Sequence, residues 1–436
     1  MIPAKPKFAH IWLTLTLVTI GVPAASGQPA SSRINWPRVE AEGLQVTRGD
    51  HLTLITDVRE RADVDEFVTV FDQAVEGWCD YFAIPRASAE DWHMTGCLIL
   101  DPQKFTDAGL LFDDLPAFPA GYQRNDMMWL FVQDGDYYTR HLLLHEGTHA
   151  FMEKFLGGYG PPWYAEGMAE LLAVHRWSDG QLVINHRIGH RDEVPYWGRV
   201  KLIREDRDND RGFDLDEVLM IPPDSFQQVR YYGWAWAACE FFDRHLQYQE
   251  VFRRLPSLVN VDPLEFNQQF RRELESDWET ARQDWQNMVQ EMDYGYDVER
   301  ASLSTVADRS SSDDATEFGL ASDRGWQDTG IEVRGGMQLE ISGNGMYRVR
   351  DEGGTAWPAD AGGITIEYYQ GRPLGRLTAA VLPSESNDPL NVIDIGTATT
   401  IAIPADGRLL MRINESPADL HDNEGQLQVR VKSVSD

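Results

Sequence analysis

The spacing of apolar residues changes once along the chain, near residue 300, and that change dictates two structural units of different class. Before it, apolar side chains recur at helical intervals. Val68, Phe71, Val75 and Trp78 do so within 64–82, and Phe266, Phe270, Leu274, Trp278 and Trp285 within a helical stretch over 227–287. Short apolar runs at 51–57, 97–100 and 127–133 interleave as strands, the last an edge-strand candidate. Beyond 300, segments starting at Ile331, Gln338, Ile364, Thr400, Leu409 and Gln426 mostly alternate apolar with polar residues between glycine-rich turns. That pattern predicts an antiparallel β-sandwich.

Residues 301–323, rich in Ser, Asp and Ala with few large apolar groups, read as a linker. The expected organisation is an α+β unit over 28–300, the linker 301–323 and the sandwich over 324–436. With 436 residues, 42% hydrophobic and 25% charged, the chain has enough apolar surface for two cores. Its net charge of −31 opposes binding to a phosphate backbone or an anionic membrane surface, so neither is an expected partner.

The first 27 residues follow the three-part pattern of a secretory signal peptide. Lys5 and Lys7 precede the apolar run Ile11–Val22, and small residues follow at Ala24, Ala25, Ser26 and Gly27. The run is too short to span a bilayer and no other is long enough, so the expectation is a mature chain without a membrane span. It would be secreted, periplasmic or held at the cell surface. Three cysteines, Cys79, Cys97 and Cys239, are too few for a disulfide framework. Either Cys79 and Cys97 pair after export, or all three are buried thiols.

Chemistry concentrates at His145-Glu146-Gly147-Thr148-His149, an HExxH pattern inside an apolar helical stretch over 136–155. Residues four apart share a helix face, so both imidazoles can address one ion while Glu146 stands beside it, placed to accept a proton from water. Buried histidines and a glutamate need partners to offset desolvation, and a zinc ion is the simplest. A third histidine at 155 is excluded, because Phe155 stands there and Met152 replaces the glycine that class requires.

The next helix opens at Pro161-Pro162 and carries Trp163-Tyr164-Ala165-Glu166-Gly167-Met168-Ala169-Glu170. This segment resembles the WLNEGxAE run of gluzincin metallopeptidases, the thermolysin-like and M1-aminopeptidase-like clan. The resemblance implies that Glu166 is the third zinc ligand and Glu170 the acid that orients a ligand histidine; exchanged roles for the two are the alternative. Tyr231-Tyr232-Gly233-Trp234-Ala235 resembles the clan's Y-x-x-G-F-A segment, whose tyrosine donates to an oxyanion, which implies Tyr232, with Tyr231 as runner-up. The exopeptidase motif GAMEN is absent. Tyr137 to His149 resembles exported peptidase-MA-like proteins of the DUF1570 type. The fold so implied is a thermolysin-like zincin domain: a mixed sheet with an edge strand, an active-site helix and a helical C-terminal subdomain. The activity implied is zinc-dependent hydrolysis of a peptide or protein substrate, with Glu146 as general base.

The sandwich resembles calcium-dependent galactose-binding bacterial lectins at Trp326–Ile331, Pro373–Leu377 and above all Asn414–Gly425. The resemblance implies a Ca²⁺ and carbohydrate site at Glu415, Asp419, Asp422 and Asn423, with Glu415 replacing an aspartate and Asp422 an asparagine. The alternative to a peptidase is therefore a carbohydrate-binding or adhesion protein with an inactive zincin domain. Two further patterns are weaker. Acids at 206, 208, 210, 214 and 217 mimic an EF-hand loop but lack its glycine, Arg211 standing there, and read better as a solvated loop. His186 and His190 are four apart without an intervening glutamate and beside Gly189, which argues against a metal site.

Overall fold

The computed structural model describes residues 29–312, 315–383 and 389–434, so the expected signal peptide lies outside the described residues. Alternation along five strands sorts their side chains onto two faces. β1 (Gln45–Arg48), β2 (Leu52–Thr56), β3 (Met94–Ile99), β4 (Gly121–Arg124) and β5 (Met127–Phe131) form one sheet in the order β1-β2-β3-β5-β4. β2, β3 and β5 run parallel, and β1 and β4 are antiparallel to their neighbours. Leu54, Leu98, Met128 and Leu130 enter the main core, whereas Ile55, Cys97, Ile99 and Trp129 enter a smaller one with Phe105 and Leu110.

The strand expected at the edge is therefore interior. β5 pairs with β3 on one side and β4 on the other, so the edge on that side of the sheet belongs to β4, whose sequence Gly-Tyr-Gln-Arg has little apolar content. The possible Cys79–Cys97 disulfide is also corrected. Both thiols are free and buried, in different cores on opposite faces of the sheet.

Helices cover the main-core face. α1 (Arg61–Tyr81) packs beside α2 (Asp136–Phe151), which also meets β4, β5 and α3 (Pro162–Ala173). α2 is buried around its whole circumference from His141 to Phe151, as a helix held between a sheet and other helices must be. A single π-helical stretch, Met152–Leu156, follows it, and Pro162 then starts α3 at the position where a missing N–H costs nothing. The hairpin β6 (His175–Ser178) and β7 (Gln181–Ile184) comes next. The remainder is helical: α4 (Gly198–Arg207), α5 (Val229–Arg244), α6 (Pro263–Glu273) and α7 (Trp278–Glu291). The continuous helical stretch expected over 227–287 is thus divided, with Pro263 starting a new helix. α3 and α5 approach closely at Gly167, where an added Cβ would lie 2.5 Å from the Ala235 carbonyl oxygen and from Cys239 Sγ. Among the described residues no helix is long and apolar enough to cross a membrane.

The second unit consists of two five-stranded sheets facing each other across a separate core that includes Phe318, Ile341, Leu377, Met411 and Val429. Its strands begin before the expected boundary. β8 (Ser304–Thr305), β9 (Ala307–Ser311) and β10 (Thr316–Ala321) all fall inside 301–323, with β8 joining one sheet and β9 and β10 the other. The region is thus not a linker. β9 is an edge strand exposed along its length, which gives it a linker's composition, while Phe318 and Leu320 of β10 enter the core.

The later strands are β11 (Gln327–Val333), β12 (Gln338–Asn344), β13 (Tyr347–Glu352), β14 (Thr355–Ala359), β15 (Ile364–Tyr369), β16 (Arg372–Leu374), β17 (Leu377–Leu382), β18 (Ile393–Asp394), β19 (Ala398–Ala402), β20 (Gly407–Ile413) and β21 (Gln426–Ser433). All six alternating segments of the sequence lie on these strands. The two units are locked together by Arg412 of β20, whose guanidinium makes two 2.6 Å bonds to Glu291 of α7 and lies over Trp326. Leu303 N–H adds a 3.0 Å bond to Asp284 Oδ1.

Candidate metal centre

His145 and His149 sit one turn apart on α2, and Glu166 reaches them from α3. The three facing atoms form a near-equilateral triangle. His145 Nε2 is 3.3 Å from His149 Nε2 and 3.3 Å from Glu166 Oε2, and His149 Nε2 is 3.5 Å from that oxygen. Bonds of about 2.0–2.2 Å at tetrahedral angles place zinc ligands about 3.3–3.5 Å apart, so the donor set and its spacing fit such an ion. Glu146 Oε2 is buried with no hydrogen-bond partner, while Glu166 Oε2, also buried, faces the two imidazole nitrogens. Charge points the same way. Glu146, Glu166 and Glu170 are all buried, and among the described residues only Glu170 is paired with a guanidinium, that of Arg199, an excess of negative charge that a doubly charged cation offsets. These residues could hold a metal ion.

Electrostatics around the triangle are strongly coupled. Burial alone would push the His145 pKa down, but hydrogen bonds to Glu166 and Glu170 outweigh it and hold it at about 10. Burial would raise Glu166, yet His149 and His145 bring it down to about 2. Glu146 is raised by burial, with the two histidines opposing. It lies directly under the sheet edge, since a Cβ on Gly121 of β4 would be 2.4 Å from Glu146 Oε1.

Tyr232, at the start of α5, is buried with its ring 5.9 Å from that of His145, whereas Tyr231 packs against Phe213. Burial, then Glu166, Glu170 and Glu146, raise the Tyr232 pKa well above a phenol's usual value, so its hydroxyl keeps the proton it could donate. On the other side, Tyr159 meets the His149 ring edge-on at 5.7 Å. Its hydroxyl donates to Gln123 of β4, which donates in turn to Glu153 in the π-helical turn.

Glu170 lies one turn beyond Glu166 and contacts His145 from behind, with Nδ1 3.2 Å from Glu170 Oε1. Two partners escaped the sequence reading. His141 Nε2 is 3.1 Å from Glu170 Oε2, and Arg199 grips both carboxylate oxygens at 2.6 and 2.7 Å. His141 was legible in principle, standing four residues before His145 on the same helix face. Arg199 carries no local signal.

In the sandwich, Glu415 and Asn423 are buried together, Asn423 Nδ2 donating to Glu415 Oε2 at 2.5 Å, and Asp422 Oδ2 accepts from Asp351 N–H. Glu415 Oε1, Asp422 Oδ1 and Asn423 Oδ1 are buried without partners. Burial, reinforced by Asp419 and Asp422 against the Asn423 bond, pushes the Glu415 pKa up to about 8. Burial also raises Asp419.

The EF-hand-like acids do not converge. Asp206 is buried against Arg230, Arg211 and Trp234, while Asp214 and Glu217 form a capping box. His186 pairs with Glu193, and His190 is exposed beside Asp192.

No family model matches the chain, and no curated protein matches it. Among solved structures it is similar to the EclA N-terminal domain, a PllA-like lectin, at 20% identity over 27% of this chain and 95% of that one, with a TM-score of 0.22. It is also similar to a functionally unknown conserved protein from Bacillus anthracis str. Ames, at 11% identity over 28% of this chain and 22% of that one, TM-score 0.16. A third is Aeromonas hydrophila PliG, a periplasmic lysozyme inhibitor of g-type lysozyme, at 11% identity over 30% and 97%, TM-score 0.18. TM-scores this low leave the α+β assignment to the topology itself.

Proposed function

We propose that the protein is an exported zinc metallopeptidase of the gluzincin type, hydrolysing peptide bonds with Glu146 as general base. The observation that carries this reading is the triangle of His145 Nε2, His149 Nε2 and Glu166 Oε2, with the unpartnered Glu146 Oε2 beside it. A mixed sheet with an antiparallel edge strand, an HExxH helix, a glutamate-bearing helix and a helical remainder is also the order of parts a thermolysin-like zincin requires. The N-terminal signal pattern supports export.

His145, His149 and Glu166 would hold the ion. When bound, zinc supplies a Lewis acid for the scissile carbonyl and makes a water more acidic. The edge of β4 pairs with the extended substrate and lays its backbone across Glu146. Glu146 takes a proton from water as the water oxygen adds to the carbonyl carbon, then delivers it to the departing amide nitrogen as the C–N bond breaks. The Tyr232 hydroxyl donates to the oxygen on which negative charge develops.

The test is hydrolysis of a denatured protein by wild type and Glu146→Gln, with and without a chelator. Activity that is lost in Glu146→Gln, lost in wild type with the chelator, and restored to the chelated wild type by zinc supports the reading. Full activity in Glu146→Gln overturns it.

A second reading draws on the buried, unpartnered oxygens of Glu415, Asp422 and Asn423, which suit a hard cation such as calcium. On that reading the sandwich binds carbohydrate through Ca²⁺, and the chain is an adhesion protein whose zincin unit is inactive. Calorimetric titration of the full chain with calcium, then simple sugars, separates them: sugar binding without any hydrolysis favours the second reading, and no heat removes it.

A further inference from the structure

We infer that Arg199 is a positioning residue for the metal centre, acting through Glu170 on His145 and His141. The inference rests on the metallohydrolase reading. The geometry divides the work of one carboxylate between two rings. Glu170 Oε1 is held by Arg199 Nη2 at 2.7 Å and faces His145 Nδ1 at 3.2 Å. Glu170 Oε2 is held by Arg199 Nε at 2.6 Å and faces His141 Nε2 at 3.1 Å. A carboxylate touching only two imidazoles could rotate about its terminal bond. The two-pronged guanidinium removes that freedom and fixes the plane in which both rings meet it. All four side chains are buried.

The backbone that delivers Arg199 is itself constrained. Tyr196, Trp197 and Gly198 have φ of 54°, 70° and 58°, three successive residues in the left-handed half of backbone space immediately before Arg199. Two of them are bulky aromatics, for which this conformation is strained. Tyrosine hydroxyls hold the turn in place. Tyr138, from α2, donates to the Pro195 carbonyl at 2.8 Å, and Tyr294 donates to the Trp197 carbonyl at 2.7 Å. Tyr196 is bonded to Asp134, just ahead of α2. The segment carrying Arg199 is therefore tied to the helix that carries His141, His145 and His149, so the guanidinium meets Glu170 at a fixed place.

The experiment compares wild type, Arg199→Lys and Arg199→Gln by zinc affinity in chelator competition, with ¹⁵N spectroscopy of the histidine rings in the metal-free proteins. Lysine keeps the charge but loses the fork, and zinc affinity should fall by about 10-fold; the loss in glutamine should approach 100-fold. In the metal-free wild type the ring N–H groups facing Glu170 should be protected from solvent exchange, and both variants should lose that protection. Zinc affinity within twofold of wild type, with unchanged ring signals, overturns the inference. If Arg199→Gln fails to fold, Arg199→Lys decides by the same criteria. If the wild type binds no zinc, the metallohydrolase reading fails, and the ring signals alone decide the role of Arg199.

Discussion

A Cβ added to Gly121 would lie 2.4 Å from Glu146 Oε1, so the sheet edge and the proposed general base occupy adjoining space with no room for a side chain between them. Gly121→Ala must displace Glu146. Misplacement of a catalytic group by about 1 Å can cost about 100-fold in rate. We expect kcat to fall by that order while zinc affinity stays at the wild-type value, because none of the three ligands moves. Steady-state kinetics paired with a zinc titration check this.

Tyr232→Phe removes a hydroxyl but keeps the ring that packs beside His145. If that hydroxyl donates to the developing oxyanion, kcat should fall by about 100- to 1000-fold with little change in KM. An equal loss in Tyr231→Phe would show that the wrong tyrosine has been chosen.

Glu291 and Arg412 test whether the two units stand or fall together. Glu291→Ala leaves the Arg412 guanidinium buried without its partner, which typically costs about 3–5 kcal/mol. Denaturant unfolding followed by tryptophan fluorescence should show the midpoint falling accordingly, whereas a flexible tether between independent units predicts no change.

The sandwich should respond to pH through Glu415. Its folded pKa of about 8 lies above the ordinary value of 4.5, so between these limits the folded state holds a proton that the unfolded chain releases. The associated stability is complete below 4.5 and is lost as pH rises through about 8. In chelator, the melting temperature of wild type should fall over that window relative to Glu415→Gln. Calcium, which needs the ionised carboxylate, should restore it most at the alkaline end.

The parts visible in the sequence are those whose signal is local. HExxH on α2, Pro162 at the start of α3 and the alternating strands of the sandwich depend on residues within one or two turns of each other. β4 stayed hidden because Gly-Tyr-Gln-Arg has neither an apolar run nor β-branched residues, and its place at the edge follows from pairing with β5. β9 passed for a linker because an exposed edge strand has a linker's composition. Arg199 could not be read at all, since its link to Glu170 spans 29 residues and exists only once α4 packs in place.

The most direct measurement is the zinc stoichiometry of the purified chain beside His149→Ala and Glu166→Gln. We predict one tightly held ion per wild-type chain, none retained by His149→Ala, and weakened retention in Glu166→Gln. A wild type that takes up no zinc, or a Glu166→Gln protein that holds it as firmly as wild type, contradicts the shared site on which the account rests.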